Sequence, residues 1–270
     1  MAIADRSSIG SNYMVAASRL NTITQHLEKP TMATSLPSLT LYRINGACSM
    51  AVHILLLELD IPFSSILMKG TIGNKLKGTE AADASFTHAE YRKVSPGGLV
   101  PALRILSEKG ERVLTELPAL MYYIASLKPA GAALLGNTPT EQSRVIEWML
   151  FLSGSLHGNG FSMFWKPQRY AGDSSESEPL LPLIKAQGLK KIYECFDRIE
   201  TWIEGPEYAV GGHLTIVDIF LHTFWRWGRF IKLGADEKYP RYREVAWRVE
   251  GLESVWKAME AEGQRLCFPD

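Results

Sequence analysis

Apolar and polar positions follow two different rhythms along this chain. Between about residues 39 and 127 short apolar runs are broken by Gly and Pro, whereas beyond residue 140 apolar residues return every three or four positions. Residues 39–42 (LTLY) read as a strand, and Asn45-Gly46 is turn chemistry because both residues tolerate positive φ. Residues 47–59 hold no Pro or Gly and are rich in helix formers. Pro62 closes that helix by biasing Ile61 away from the αR region. Residues 63–68 (FSSILM) read as a second strand. Strand, helix and strand joined by tight links imply a parallel pair with a right-handed crossover. Residues 69–93 are polar and carry Gly70, Gly73 and Gly78, the mark of a loop with a short helix. Residues 102–107 and 112–115 flank SEKGE, a hairpin signature. Residues 116–126 read as a helix with Pro118 in its first turn, where the missing N–H does no harm. The order is β-α-β, loop, β-β-α.

Residues 128–138 (KPAGAALLGNT) read as a linker. Helical periodicity then runs over residues 140–164, with the apolar set Val145, Ile146, Trp148, Met149 and Leu152 near helical spacing. A polar interruption at 167–182 precedes a helix over 182–204, whose Leu189, Ile192, Tyr193, Phe196, Ile199 and Ile203 make a core stripe. Thr215-Ile216-Val217-Asp218 is a capping-box pattern ahead of the apolar run to residue 230. Asp218 is therefore expected to cap its own helix, a contribution of about 1 kcal/mol. Two helices, at 239–249 and 252–262, finish the chain. Residues 1–37 differ from the rest: rich in Ser, Thr, Asn and Ala, without the apolar core of a secretory signal, they read as a mobile extension with Met32 as an alternative start.

Composition narrows the function. Lys plus Arg equals Asp plus Glu at 29 each, which argues against a broad nucleic-acid footprint. No apolar run approaches the roughly 18 residues that a membrane span needs. Three cysteines, Cys48, Cys195 and Cys267, make neither a disulfide framework nor a metal-ligand spacing, and point to a reducing compartment such as the cytoplasm.

Three places carry candidate chemistry. Cys48 and Ser49 fall where the first turn becomes the first helix, beside unpaired N–H groups and the positive end of the helix dipole. There Cys48 is either a thiolate of depressed pKa or a buried inert thiol, with Ser49 an N-cap. Val100-Pro101, after Gly97-Gly98, is either a cis peptide whose outward Val100 backbone pairs with an extended peptide, or an ordinary trans Pro opening an edge strand. Glu116, at a strand-to-helix junction, either receives the ammonium of an amino-acid head group or only complements its helix dipole.

In this order the motifs resemble those of the cytosolic glutathione transferase family, fungal or bacterial beta-class-like, over about residues 39–263. NGACSMAVHILLLE resembles the beta-class cysteine motif, GGLVPAL the cis-Pro loop, VLTELPAL the γ-glutamyl-binding turn and LTIVDI the capping box of the second domain's core helix. The resemblance implies an α/β thioredoxin-like N-terminal domain (38–127), a linker (128–139) and an all-α helical domain (140–270). It implies glutathione as cosubstrate without a metal, a small hydrophobic electrophile as partner and a homodimer.

By position, Cys48 and Ser49 become candidates for contact with the glutathione sulfur and His157 for the histidine facing it. Val100, Pro101, Glu116 and Leu117 become the glutathione-binding set, and Phe161, Phe164 and Trp165 the wall of the second pocket. Read without the resemblance, His157 is an ordinary interior histidine. Likewise the aromatic set that adds Trp225 and Trp227 is core and pocket wall rather than a cofactor box. Three positions depart from the family: Leu117 lacks a hydroxyl, Gly158 stands where a beta-class lysine is found, and Leu99 is apolar. Lys69 and Lys75 are candidates to replace a lost contact on the glycine carboxylate. Conjugation, cis-trans isomerisation, disulfide reduction through Cys48 and a non-enzymatic regulatory role on the same fold all remain open.

Overall fold

The computed structural model describes residues 36–70, 78–172, 174–205 and 207–268. The extension expected over residues 1–37, with Met32, lies outside them up to residue 35, as does Lys75. Strands β1 (Ser38–Arg43), β2 (Ser64–Gly70), β3 (Thr79–Ala81), β4 (Ala102–Ser107) and β5 (Gly110–Leu114) form one mixed sheet in the order β3-β2-β1-β4-β5. Helix α1 (Ser49–Glu58) crosses between β1 and β2, which pair in parallel, while every other pairing is antiparallel. Helix α2 (His88–Val94) starts on a capping box between Thr87 and Glu90. Helix α3 (Leu117–Ser126) follows β5 with Pro118 in its first turn, as its sequence requires. The strand missed by pattern reading is β3, three residues long and paired antiparallel to β2 at Met68–Ala81. It is too short to show an alternation.

The helical region contains α4 (Pro139–Leu150), α5 (Leu181–Trp202), α6 (Ile216–Phe230), α7 (Pro240–Glu250) and α8 (Glu253–Ala261). Thr138 caps α4 by accepting the Glu141 N–H at 3.2 Å. Beyond Leu150 the backbone stays helical but widens to a π-helix over Phe151–Phe161, then resumes as a short α turn, Ser162–Trp165. π-Helical segments often mark functional sites. Glycine lets α5 come close here: a Cβ on Gly188 would meet Phe164 N at 2.6 Å and Gly160 O at 2.9 Å. The polar interruption holds a short helical turn, Gln168–Ala171, and a 3-10 stretch, Ser175–Leu180.

Helix α1 has no polar stripe, and Ser49 through Leu56 are all buried. It is covered by the sheet, by α3, and by α6 and α8 of the helical region. A helix apolar on every side is a buried helix. Helix α6 is the core of the helical region. The Asp218 carboxylate accepts the Thr215 N–H at 2.8 Å and the Thr215 hydroxyl at 2.9 Å, and its other oxygen accepts the Ala209 N–H at 2.7 Å. Asp218 therefore caps its helix and also ties down the preceding loop. Burial pushes its carboxyl up to about 6, against these donors. Among the described residues no helix is long and apolar enough to cross a membrane.

Candidate active site

The site grows from the turn between β1 and α1. Gly46 has φ +70°, which glycine adopts without cost, and a Cβ there would lie 2.7 Å from Gln264 Oε1. Distant elements hold the turn. Its Gly46 N–H donates to Glu262 Oε2 at 2.7 Å, and its Gly46 carbonyl accepts the Trp227 indole N–H at 2.9 Å. Glu262 is buried and also meets His53 Nδ1 at 2.8 Å and Arg43 Nη1 at 3.7 Å.

Ser49 is fully buried, and its hydroxyl is used within the turn. It accepts the Ile44 N–H at 3.2 Å and donates to the Ile44 carbonyl at 3.1 Å. The geometry gives it a structural task, and it lines neither cavity described below.

Cys48 does reach the cavities, and of its two readings the structure favours the buried, neutral thiol over the thiolate. The backbone N–H groups of Ser49 and Cys48 favour a thiolate, yet burial outweighs them and pushes the thiol up to about 12. Its Sγ donates to the Val100 carbonyl at 3.5 Å. In the free protein Cys48 is a neutral S–H donor.

The Val100-Pro101 peptide is cis, the first of the two alternatives that its sequence offers. The loop before it is braced from behind, because the Leu99 carbonyl accepts the Tyr91 hydroxyl at 2.8 Å and the Ser95 hydroxyl at 3.1 Å. Leu99 itself is exposed. The Val100 N–H has no hydrogen-bond partner among the described residues. At the start of α3, Glu116 is exposed and has φ +64°, uncommon for a residue with a Cβ. Such outliers gather at binding sites. Leu117 turns its side chain into the core, at 6% exposure.

Two cavities meet at this place. The smaller, of about 290 Å³, is lined by Val100, Pro101, Thr115, Glu116 and Leu117, together with Cys48 and His157. The larger, of about 630 Å³, shares Cys48, Val100 and His157 and is walled by Phe161, Trp165 and Trp227. His157 projects from the π-helix onto Trp227, ring centroids 5.5 Å apart. Burial, aided by the Arg169 charge, lowers its pKa to about 4, so the imidazole is neutral near pH 7. Phe161 stacks on Phe224 at 5.8 Å, and Trp165 meets Trp227 edge-on at 4.8 Å.

Phe164 is a correction. It lines neither cavity; its ring lies under the Lys185 ammonium, 4.9 Å away. Lys69 is a second: it pairs with Glu80 at 3.3 Å and lines neither cavity. Trp225 packs against Tyr242 in the core. Reading by residues missed Arg169, which lines both cavities, and Arg226 and Gln264, joined at 2.9 Å in the larger. No local signal marks these three, since they come from a polar interruption, a core helix and the chain's last residues.

Comparison with known proteins finds family models that match in both halves of the chain. Residues 46–127 match the family model described as "Glutathione S-transferase, N-terminal domain", and residues 183–252 match "Glutathione S-transferase, C-terminal domain". Glutathione S-transferase GstA of Escherichia coli O157:H7 is 31% identical over 223 residues, covering 81% of this chain and 96% of the relative. The structure described as a ternary complex of BphK, a bacterial GST, aligns with a TM-score of 0.62 at 27% identity, covering 83% of this chain and 99% of that one. A glutathione transferase homologue from Sulfitobacter, solved with bound glutathione, shares the fold at a TM-score of 0.69 and 24% identity, covering 84% of this chain and 99% of that one.

Proposed function

Because the chain belongs to the glutathione S-transferase family, we propose that it adds the thiolate of glutathione to a small hydrophobic electrophile. The observation that carries this reading is the junction of two unlike cavities at Cys48, Val100 and His157. One cavity suits a peptide and the other an aromatic or apolar partner.

In this reading the cysteinyl part of glutathione pairs with the Val100 backbone, and its γ-glutamyl ammonium meets Glu116. The glutathione sulfur then lies at Cys48. A neutral Cys48 S–H and the N–H groups at the start of α1 donate to that sulfur, which favours its ionised form. Each pKa unit of lowering corresponds to about 1.4 kcal/mol of thiolate stabilisation. His157, neutral and beside the sulfur, orients the electrophile and does not compete for the charge. With a haloarene, the thiolate forms a C–S bond at the ring carbon, chloride leaves with the C–Cl pair, and the thiol proton passes to solvent. Reversible addition to an alkene, which yields cis-trans isomerisation, needs the same groups. Residues 38–127 serve glutathione and residues 140–270 the electrophile, with 128–139 the link. A homodimer belongs to the proposal, and the exposed Ile146 and Leu150 on α4 are apolar surface suited to one.

The test compares conjugation of chlorodinitrobenzene with reduction of hydroxyethyl disulfide. Wild type is expected to conjugate, and Cys48→Ala to lose about ten- to hundredfold in kcat/KM, with disulfide reduction near the uncatalysed rate in both. Strong disulfide reduction that Cys48→Ala abolishes would instead make Cys48 the nucleophile. Absence of both activities and of glutathione binding would leave only a shared scaffold, the regulatory alternative.

A further inference from the structure

The larger cavity is lined by charge of one sign. Lys166, Arg169 and Arg226 face it, and none of its described lining residues is Asp or Glu. Arg226 is already engaged: it holds Gln264 Oε1 at 2.9 Å and lies in the field of Glu262 and Glu250. Arg169 differs. No hydrogen bond or ion pair joins its guanidinium to a carboxylate among the described residues. The groups within its field are Cys48, His157 and Lys166, and it disfavours added positive charge on all three.

This is not an arginine on a loose surface loop. The Arg169 N–H donates to the Lys166 carbonyl at 3.0 Å, so the two cations share one turn. That turn is fastened at both ends. The Tyr170 hydroxyl donates to the Gly158 carbonyl on the π-helix, next to His157, and the Ser177 hydroxyl donates to the Ala171 carbonyl. The fold thus holds the Arg169 backbone in place at the mouth of an aromatic cavity, where its guanidinium can meet an incoming anion. A guanidinium fork is matched to a carboxylate.

We infer that the larger cavity selects second substrates that join an aromatic ring to a carboxylate, the ring against Trp165 and Trp227 and the carboxylate on Arg169. The inference rests on the conjugation reading above. It concerns the electrophile and not the glutathione. Because Arg169 also borders the smaller cavity, the experiment must separate the two anions.

β-Benzoylacrylate and its methyl ester serve as a matched pair. In each, the glutathione thiolate forms a C–S bond to an alkene carbon, and the π pair moves to the ketone oxygen as an enolate. A proton from water then returns to the adjacent carbon. Rates are divided by the uncatalysed rates, and glutathione affinity is measured by calorimetry. Wild type is expected to prefer the acid by about tenfold in kcat/KM. Arg169→Gln should erase that preference through the KM of the acid, whose kcat/KM falls about tenfold further than that of the ester whatever loss the two share. Arg169→Lys should restore part of it. Equal losses for acid and ester with weakened glutathione binding would assign Arg169 to glutathione and overturn the inference, as would no effect at all. If neither compound is conjugated, the conjugation reading fails by itself, and calorimetry with cinnamate and cinnamamide decides the anion site. A preference for cinnamate that Arg169→Gln removes supports the inference, and equal binding of the two overturns it.

Discussion

The two walls of the cleft are built from different materials. The wall at Val100, Pro101 and Glu116 presents main chain, since Val100 offers an N–H, Leu117 buries its side chain and Leu99 gives its carbonyl to Tyr91 and Ser95. The wall at His157, Phe161, Trp165 and Trp227 presents side chains from a π-helix, a short turn and α6. A main-chain wall tolerates change in the residues that form it but depends on the braces behind it. A side-chain wall can be retuned residue by residue. Constant recognition of one cosubstrate and variable recognition of another divide naturally along that line.

The largest effect expected from this contrast falls on a brace. Glu262→Ala leaves Arg43 and His53 buried without their carboxylate and frees the Gly46 N–H. Urea denaturation should show a loss of about 3–5 kcal/mol. A loss within about 0.5 kcal/mol would mean that the turn holds itself. Next in size is Glu116→Gln, which keeps the shape of the turn and removes its charge. Glutathione Kd should rise about tenfold by calorimetry, equivalent to about 1.4 kcal/mol, and an unchanged Kd would take the ammonium contact away from Glu116. Smallest is Val100→Ala, where only backbone is used: the glutathione Kd is expected to stay within about twofold. A tenfold loss there, with the fold intact by circular dichroism, would erase the distinction between the walls.

The backbone wall was the more legible of the two in the sequence. The Asn-Gly turn, the SEKGE hairpin, Pro118 and the Thr-x-x-Asp cap state their geometry over a few adjacent residues, and β1, α1, the β4–β5 hairpin, α3 and α6 follow from them, whereas the residues of Gly-Gly-Leu-Val-Pro left cis and trans open and only the family resemblance pointed to cis. Strand β3 was not legible, because three residues carry no pattern and its partner lies on β2. Nor was the π-helix, whose wider turn departs from a 3.6-residue period; Phe164, placed in the pocket by the resemblance, lies in the turn after it with its ring under Lys185. Arg169 was hidden in a polar stretch, and its place depends on Tyr170 reaching the Gly158 carbonyl. For Cys48 the local signal was true but outweighed: the helix-end donors are there, and burial is stronger. Ser49 is not the N-cap that its position suggested: Cys48 stands at the cap position, and the Ser49 hydroxyl is committed to Ile44.

The central claim is that this cleft ionises the sulfur of its ligand and not its own. Thiolate ultraviolet absorbance, titrated with pH on the free protein and on its glutathione complex, tests it directly. Free protein should show no cysteine ionising near neutral pH, since burial holds Cys48 up to about 12. Adding glutathione should bring in one thiolate that titrates below the ordinary thiol value of about 8.5, and Cys48→Ala should raise that midpoint. A thiolate already present in the free protein and lost in Cys48→Ala, or bound glutathione that titrates like free thiol, would contradict the account.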